Sequence, residues 1–277
     1  MGRCDAETLI PSTPQAKDDL PMPPILRLAA ALLLLLTTAA QAQSPSKLDT
    51  ILTRGTIRVG VPGDYAPFAL RDAAGDVHGI DIDMAQNLAA TMGVKLEIIP
   101  TKWADLLPDI TADKFDIGMG GISITLARAK VAFFSTPVLR VGKSAIARCD
   151  AKARFPTLAD IDKPGVKVIT NPGGTNEKFD RATLHAAEIT VFPTNTGIWG
   201  ELIAGRADVM ITDNVETRLQ QKQHPELCAI NPDKPFDFGE LGYLLPRDSA
   251  LQQYVNLWLH VQSETGEMAK ITDKYLK

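Results

Sequence analysis

From residue 47 onward the chain alternates short apolar runs with longer stretches whose apolar positions fall on one helical face. Residues 56–61, 95–100 and 115–118 are short, β-branched and apolar, which predicts strands. Residues 80–92 place Ile82, Met84, Leu88 and Ala89 mainly on one face, which predicts a helix, and 47–54 and 103–112 read the same way. A loop carrying Asp64, Tyr65 and Phe68 follows the first strand. Residues 133–147 read as an extended crossing, after which the pattern restarts with strands at 166–170, 189–192 and 208–211 and helices at 177–186, 196–204 and 214–223. A second extended piece, 239–245, leads to closing helices at 250–262 and 266–276.

Strands alternating with amphipathic helices predict an α/β protein with largely parallel sheets. Two such series with two crossings predict two lobes. Residues 43–138 and 237–277 form the first, completed by the C-terminal segment, and 139–236 form the second. A paired hinge between two lobes creates a ligand cleft, and residues at strand ends are the ones expected to line it.

The N-terminus changes this picture. Leu28 to Leu36 is an unbroken apolar run behind Arg27, followed by Ala40-Gln41-Ala42, which predicts a secretory signal cleaved after Ala42 and a periplasmic product. The run is too short for stable membrane insertion. Residues 1–21 are polar and Pro-rich and contribute nothing to a signal, so Met22 fits as the initiator. Export makes a bridge between Cys149 and Cys228 possible, and two buried thiols remain the alternative. Of 277 residues, 45% are hydrophobic and 22% charged, with a formal charge of −4 and no long Lys/Arg run, which argues against nucleic acid as a partner. The oligomeric state is open.

Asn171-Pro172-Gly173-Gly174-Thr175-Asn176-Glu177 reads as a strand end, a glycine turn and a helix start, which presents backbone N–H groups to an anion. Thr175 as an ordinary helix cap is compatible with that role. Thr212-Asp213-Asn214-Val215-Glu216 puts two carboxylates three residues apart, so Asp213 and Glu216 share a helical face. The helix dipole alone accounts for Asp213. Glu216 becomes an acid only if buried, because a desolvated carboxyl group resists ionisation. Gly118-Met119-Gly120-Gly121-Ile122-Ser123 lies after a strand and lacks a P-loop lysine, while Arg128, with Ser123, can grip a carboxylate. Tyr65, Phe68 and Trp103 are candidate cleft walls. The four histidines have no paired spacing, so no metal site is expected.

Gly63-Asp64-Tyr65-Ala66-Pro67-Phe68, Gly79-Ile80-Asp81-Ile82-Asp83-Met84-Ala85 and Gly121-Ile122-Ser123-Ile124-Thr125-Leu126-Ala127-Arg128 make nearly the whole mature chain resemble the polar amino-acid binding family of periplasmic solute-binding proteins. That resemblance implies a two-lobed, type II periplasmic binding protein-like fold with two crossing hinge strands. Asn171 to Phe179, His224 to Ala229, Pro235 to Phe238 and Tyr243 to Asp248 are more similar to the exported cyclohexadienyl dehydratases, enzymes on that scaffold. This narrower resemblance implies decarboxylating dehydration of prephenate to phenylpyruvate and of L-arogenate to L-phenylalanine, without a cofactor. It makes Glu216 the general acid, puts Asn171 and Trp103 in the pocket, and gives Arg128 and Thr175, with the N–H groups from Gly173 to Thr175, a substrate anion. Lys102-Trp103-Ala104-Asp105 and Asn214-Val215 depart from the enzymes' pattern, which bears on substrate preference. The alternative is a non-catalytic receptor for an amino-acid importer, with Arg128 on the α-carboxylate and Asp213 on the α-amine.

Overall fold

A computed structural model describes residues 45–276, and the leader predicted for 1–42 lies outside them. The helix Lys47–Arg54 opens the fold with a reciprocal capping box between Ser46 and Asp49 and ends at Gly55, whose φ of 68° is the left-handed turn that stops it. It feeds a five-stranded sheet in the order Lys95–Pro100, Thr56–Val61, Ile117–Gly118, Leu244–Leu245, Phe133–Phe134. The first three strands run parallel, and Leu244–Leu245 is antiparallel to both of its neighbours. The helix Ile80–Met92 covers this sheet through Ile82, Met84, Leu88 and Ala89, in a core that also takes Ile57, Val59, Ile117 and, from the helix Ser249–Glu264, Leu251, Val255 and Trp258.

The second five-stranded sheet has the order Glu188–Val191, Lys167–Thr170, Val209–Asp213, Lys143–Arg148, Leu227–Ile230. It is buried on both faces, so the middles of its central strands, Val168-Ile169, Val209-Met210-Ile211 and Ala145-Ile146-Ala147, are apolar without alternation. Ala145, Ala147, Val209 and Ile211 point into a core with Phe155 and Val168, while Ile146 and Met210 point the other way, onto Trp199 and Leu202.

Between the sheets, Leu139–Val141 pairs antiparallel with Gly239–Leu241, so the two crossing segments form one short ladder. Among the described residues no helix is long and apolar enough to cross a membrane.

Three expectations need correcting. Both sheets are mixed rather than largely parallel. The stretch 133–147 is not one connection, because its second half is the strand Lys143–Arg148, paired antiparallel with Val209–Asp213 and Leu227–Ile230. Gly142 and the isolated Lys143 interrupt the apolar pattern that marks its neighbours. The helix expected at 103–112 spans only Leu106–Thr111, since Trp103 sits in a turn with its indole N–H donating to Asp64 Oδ1 at 2.8 Å. The open question about the thiols resolves as a Cys149–Cys228 disulfide with Cα atoms 4.8 Å apart.

Candidate active site

The loops after the parallel strands converge on a small cavity. Thr56–Val61 delivers Tyr65, Ile117–Gly118 delivers Gly121 and Ser123, and Lys95–Pro100 leads to Trp103. From the second sheet, Lys167–Thr170 delivers Asn171, Gly174 and Thr175, and Val209–Asp213 ends at Asp213 and continues into the helix Asn214–Gln223 that carries Glu216. Ligands in open α/β sheets bind beyond the carboxyl ends of the strands, which is where this cavity lies. The space left between these groups is about 20 Å³, room for about one water, so a ring-sized substrate requires the lobes to part.

Glu216 is the third residue of its helix and only 1% exposed. Burial pushes its carboxyl up to about 8, against the opposing hydrogen bond from Thr212, and the neighbouring Asp213 charge adds to the rise. Thr212 Oγ1 lies 2.5 Å from Glu216 Oε2, and Asn195 Nδ2 lies 3.1 Å from Oε1. The acid therefore has a fixed orientation and, near neutral pH, retains its proton.

Asp213 has a different environment three residues earlier. Lys143 Nζ donates to its Oδ1 at 2.7 Å and the Tyr65 hydroxyl to its Oδ2 at 2.8 Å. Lys143 also donates to Asn176 Oδ1 at 2.5 Å and Thr175 Oγ1 at 3.2 Å, so all three of its protons have partners. Asn176 in turn donates to Asn171 Oδ1 and Thr212 Oγ1, which ties the glycine turn to the acid.

The turn itself is shaped by close approach. Gly173 has φ 75°, and a Cβ there would lie 2.9 Å from Ala104 Cβ of the other lobe. Of the N–H groups expected to hold an anion, that of Gly173 is already occupied by Glu177 Oε2 at 2.7 Å, a carboxylate of the same helix start. Those of Gly174 and Thr175 keep no such partner among the described residues. Across the cleft, buried Asp81 accepts from the N–H groups of Gly120 and Gly121, both at 2.7 Å, and so fixes the loop that bears Ser123. Ser123 Oγ meets Thr175 Oγ1 at 3.2 Å.

Two expected residues sit back from the cavity. Phe68 stacks behind Tyr65, with ring centroids 5.0 Å apart, and belongs to the first-lobe core. Arg128 is 4% exposed, with Nη1 donating to Ser123 O at 2.8 Å, and burial pushes its guanidinium down to about 10, so it stays charged. Among the described residues it forms no ion pair. Lys143, Asn176 and Asn195 were not singled out from sequence. A lone lysine inside an apolar strand was the available signal for the first, whereas Asn195 in Pro193-Thr194-Asn195-Thr196 reads as ordinary loop chemistry.

The model of the bacterial extracellular solute-binding proteins, family 3, matches residues 57–277. The chain belongs to this family. Within the solute-binding proteins it is 49% identical to the cyclohexadienyl dehydratase of Pseudomonas aeruginosa over 253 residues, 91% of this chain and 94% of that one. The L-cystine-binding protein TcyJ of Escherichia coli is 25% identical over 229 residues, 82% of this chain and 85% of that one. Among solved structures, an ancestral amino acid-binding protein described as a precursor of cyclohexadienyl dehydratase aligns with TM-score 0.79 and 35% identity, covering 84% of this chain and all of that one. An ancestral cyclohexadienyl dehydratase aligns with TM-score 0.54 and 48% identity over 84% of this chain and 97% of that one.

Proposed function

We propose that this solute-binding protein is a cyclohexadienyl dehydratase, a lyase that aromatises prephenate to phenylpyruvate and L-arogenate to L-phenylalanine. The observation that carries the reading is Glu216, a carboxyl group kept neutral by burial at the wall of the cleft. A protonated carboxyl group facing the cleft suits a dehydration, in which the departing hydroxyl must take up a proton. The 49% identity to a cyclohexadienyl dehydratase supports the same choice.

In the reaction, the Glu216 proton passes to the departing ring hydroxyl as the C–O bond breaks. The electron pair of the bond to the ring carboxylate moves into the ring, and carbon dioxide leaves. Prephenate dianion and one proton thus become phenylpyruvate anion, carbon dioxide and water, with aromatisation as the driving force. A positioned acid contributes about 100- to 10,000-fold in rate. Arg128, a buried cation that forms no ion pair among the described residues, and the N–H groups of Gly174 and Thr175 attract the substrate carboxylate. Lys143 holds Asp213 and Thr175 in place, and Trp103 and Tyr65 form the apolar wall.

The receptor reading would assign Asp213 to a ligand amine, but both of its oxygens already accept, from Lys143 and from Tyr65. Export follows from the signal ahead of Ala42, with cleavage at that position. The deciding experiment is incubation of the purified protein with each substrate. Phenylpyruvate from prephenate and L-phenylalanine from L-arogenate are expected, whereas no product together with tight amino-acid binding would favour a receptor.

A further inference from the structure

Glu216 borders two cavities. One is the cleft. The other, of about 150 Å³, lies at the edge where the lobes meet, with Asp64, Thr196, Gln220 and His224 among its walls, and Glu216 is part of its lining as well. It has room for several waters, against about one in the cleft.

Ala66, Leu70 and Trp199 give this second cavity a largely apolar wall, in which a few polar groups stand out. Gln220 is one turn after Glu216 on the same helix and 3% exposed, yet its Oε1 has no hydrogen-bond partner among the described residues. Bonded to the Glu216 carboxyl group itself, Asn195 spends its Nδ2 on Asp64 O and Glu216 Oε1, each at 3.1 Å, while its buried Oδ1 is without a partner among the described residues. A buried acceptor left unpaired is costly, and ordered water is the usual remedy. Two such acceptors flank the acid, and Gln220 lines the second cavity. His224, half-buried, and Thr196, exposed, stand along the same wall.

We propose that this second cavity is a water-filled proton entry, through which Glu216 is recharged from the outside after each turnover, independently of the substrate cleft. The inference rests on the dehydratase reading. Each turnover leaves Glu216 as a carboxylate and consumes one proton. A protonated buffer molecule at the mouth gives up that proton, waters held by Gln220 carry it inward, and the buffer base remains outside. Substrate in front of Glu216 and proton supply behind it can then coexist, so the lobes need not open for the acid to be restored. Gln220 is a positioning residue in this scheme, acting through the water it holds.

The test separates proton supply from chemistry. Wild-type protein, Gln220→Leu and Thr196→Phe are mixed rapidly with prephenate, and phenylpyruvate is followed through the first turnover and into the steady state. Thr196→Phe narrows the mouth from an exposed position. Both variants are expected to form the first equivalent of product at the wild-type rate, because Glu216 starts protonated. They then slow severalfold, and added imidazole buffer restores the later phase in a concentration-dependent way. A first turnover slowed as much as the steady state, or a steady state unchanged in both variants, would overturn the proton entry while leaving the dehydratase reading intact. No product from wild-type protein would instead overturn the dehydratase reading itself, and the entry with it.

Discussion

Asn195 and Glu216 are joined by a hydrogen bond of 3.1 Å, and the same Asn195 amide nitrogen also reaches the Asp64 carbonyl of the other lobe. Asn195 therefore ties the acid to the Asp64 loop across the cleft. Asn195→Ala removes both contacts and leaves Glu216 with Thr212 alone. Losing a positioned group of this kind is expected to lower kcat by about tenfold or more with a smaller effect on stability, since a typical hydrogen bond contributes about 1 kcal/mol. Steady-state kinetics beside thermal unfolding checks this.

The raised Glu216 carboxyl also sets a pH dependence. Its folded-state value is about 8, against an ordinary value of 4.5. With Glu216 as the proposed acid, activity requires the protonated form, so kcat/KM is expected to fall as pH rises through about 8. Stability follows the same sign. The folded state binds this proton more tightly than the unfolded chain, so the contribution is complete below about 4.5 and is lost as pH rises towards 8. At about 1.4 kcal/mol per pH unit, the loss by pH 7 is on the order of 3 kcal/mol. Glu216→Gln is therefore expected to flatten the fall in melting temperature between pH 5 and 8, measured by calorimetry.

Lys143 and Asp213 form a pair with both side chains less than a tenth exposed. Replacing Lys143 with Met strands the Asp213 charge, and breaking a buried pair in this way costs about 3–5 kcal/mol. The double variant Lys143→Met with Asp213→Asn is expected to recover part of that stability but not the activity. Denaturant unfolding of both variants is the measurement.

Gly121 combines φ 74° with a position where a Cβ would lie 2.6 Å from two Tyr65 ring carbons. Gly121→Ala cannot be absorbed by a flexible side-chain end, because the neighbour is a packed ring. Tyr65 must move, and its hydroxyl leaves Asp213. A loss of about 1–3 kcal/mol from overpacking is expected, with an additional fall in turnover.

The Cys149–Cys228 bridge closes a separation of 79 residues at the edge of the second sheet, away from the cavity. Cys149→Ser with Cys228→Ser is expected to cost about 2–4 kcal/mol and leave kcat at 25 °C unchanged.

Much of this architecture is legible in the sequence because hydrophobic periodicity reports burial directly. The helices Ile80–Met92 and Asn214–Gln223 have their predicted limits, each bounded by a glycine or by a polar strand end. The strand Lys143–Arg148 is hidden because its first two residues are polar, Lys143 reaching Asp213 and Ser144 donating to the Ile230 carbonyl of the neighbouring strand. The pairing Asp213–Glu216 is visible as helical spacing, but their opposite roles are not. Those depend on Lys143, 70 residues away in the chain from Asp213, and on Asn195, which side-chain type alone cannot distinguish from a loop asparagine. Arg128 shows the reverse. Its chemistry is plain in sequence, while its position behind Ser123 depends on loop geometry that Asp81 imposes.

The central claim is that a neutral carboxyl group at position 216 protonates the leaving hydroxyl. It is tested most directly by measuring phenylpyruvate formation from prephenate with wild-type protein and with folded Glu216→Gln, alongside substrate affinity. The variant is expected to bind prephenate still but to turn it over about 100- to 10,000-fold more slowly. Full turnover by the folded variant would contradict it.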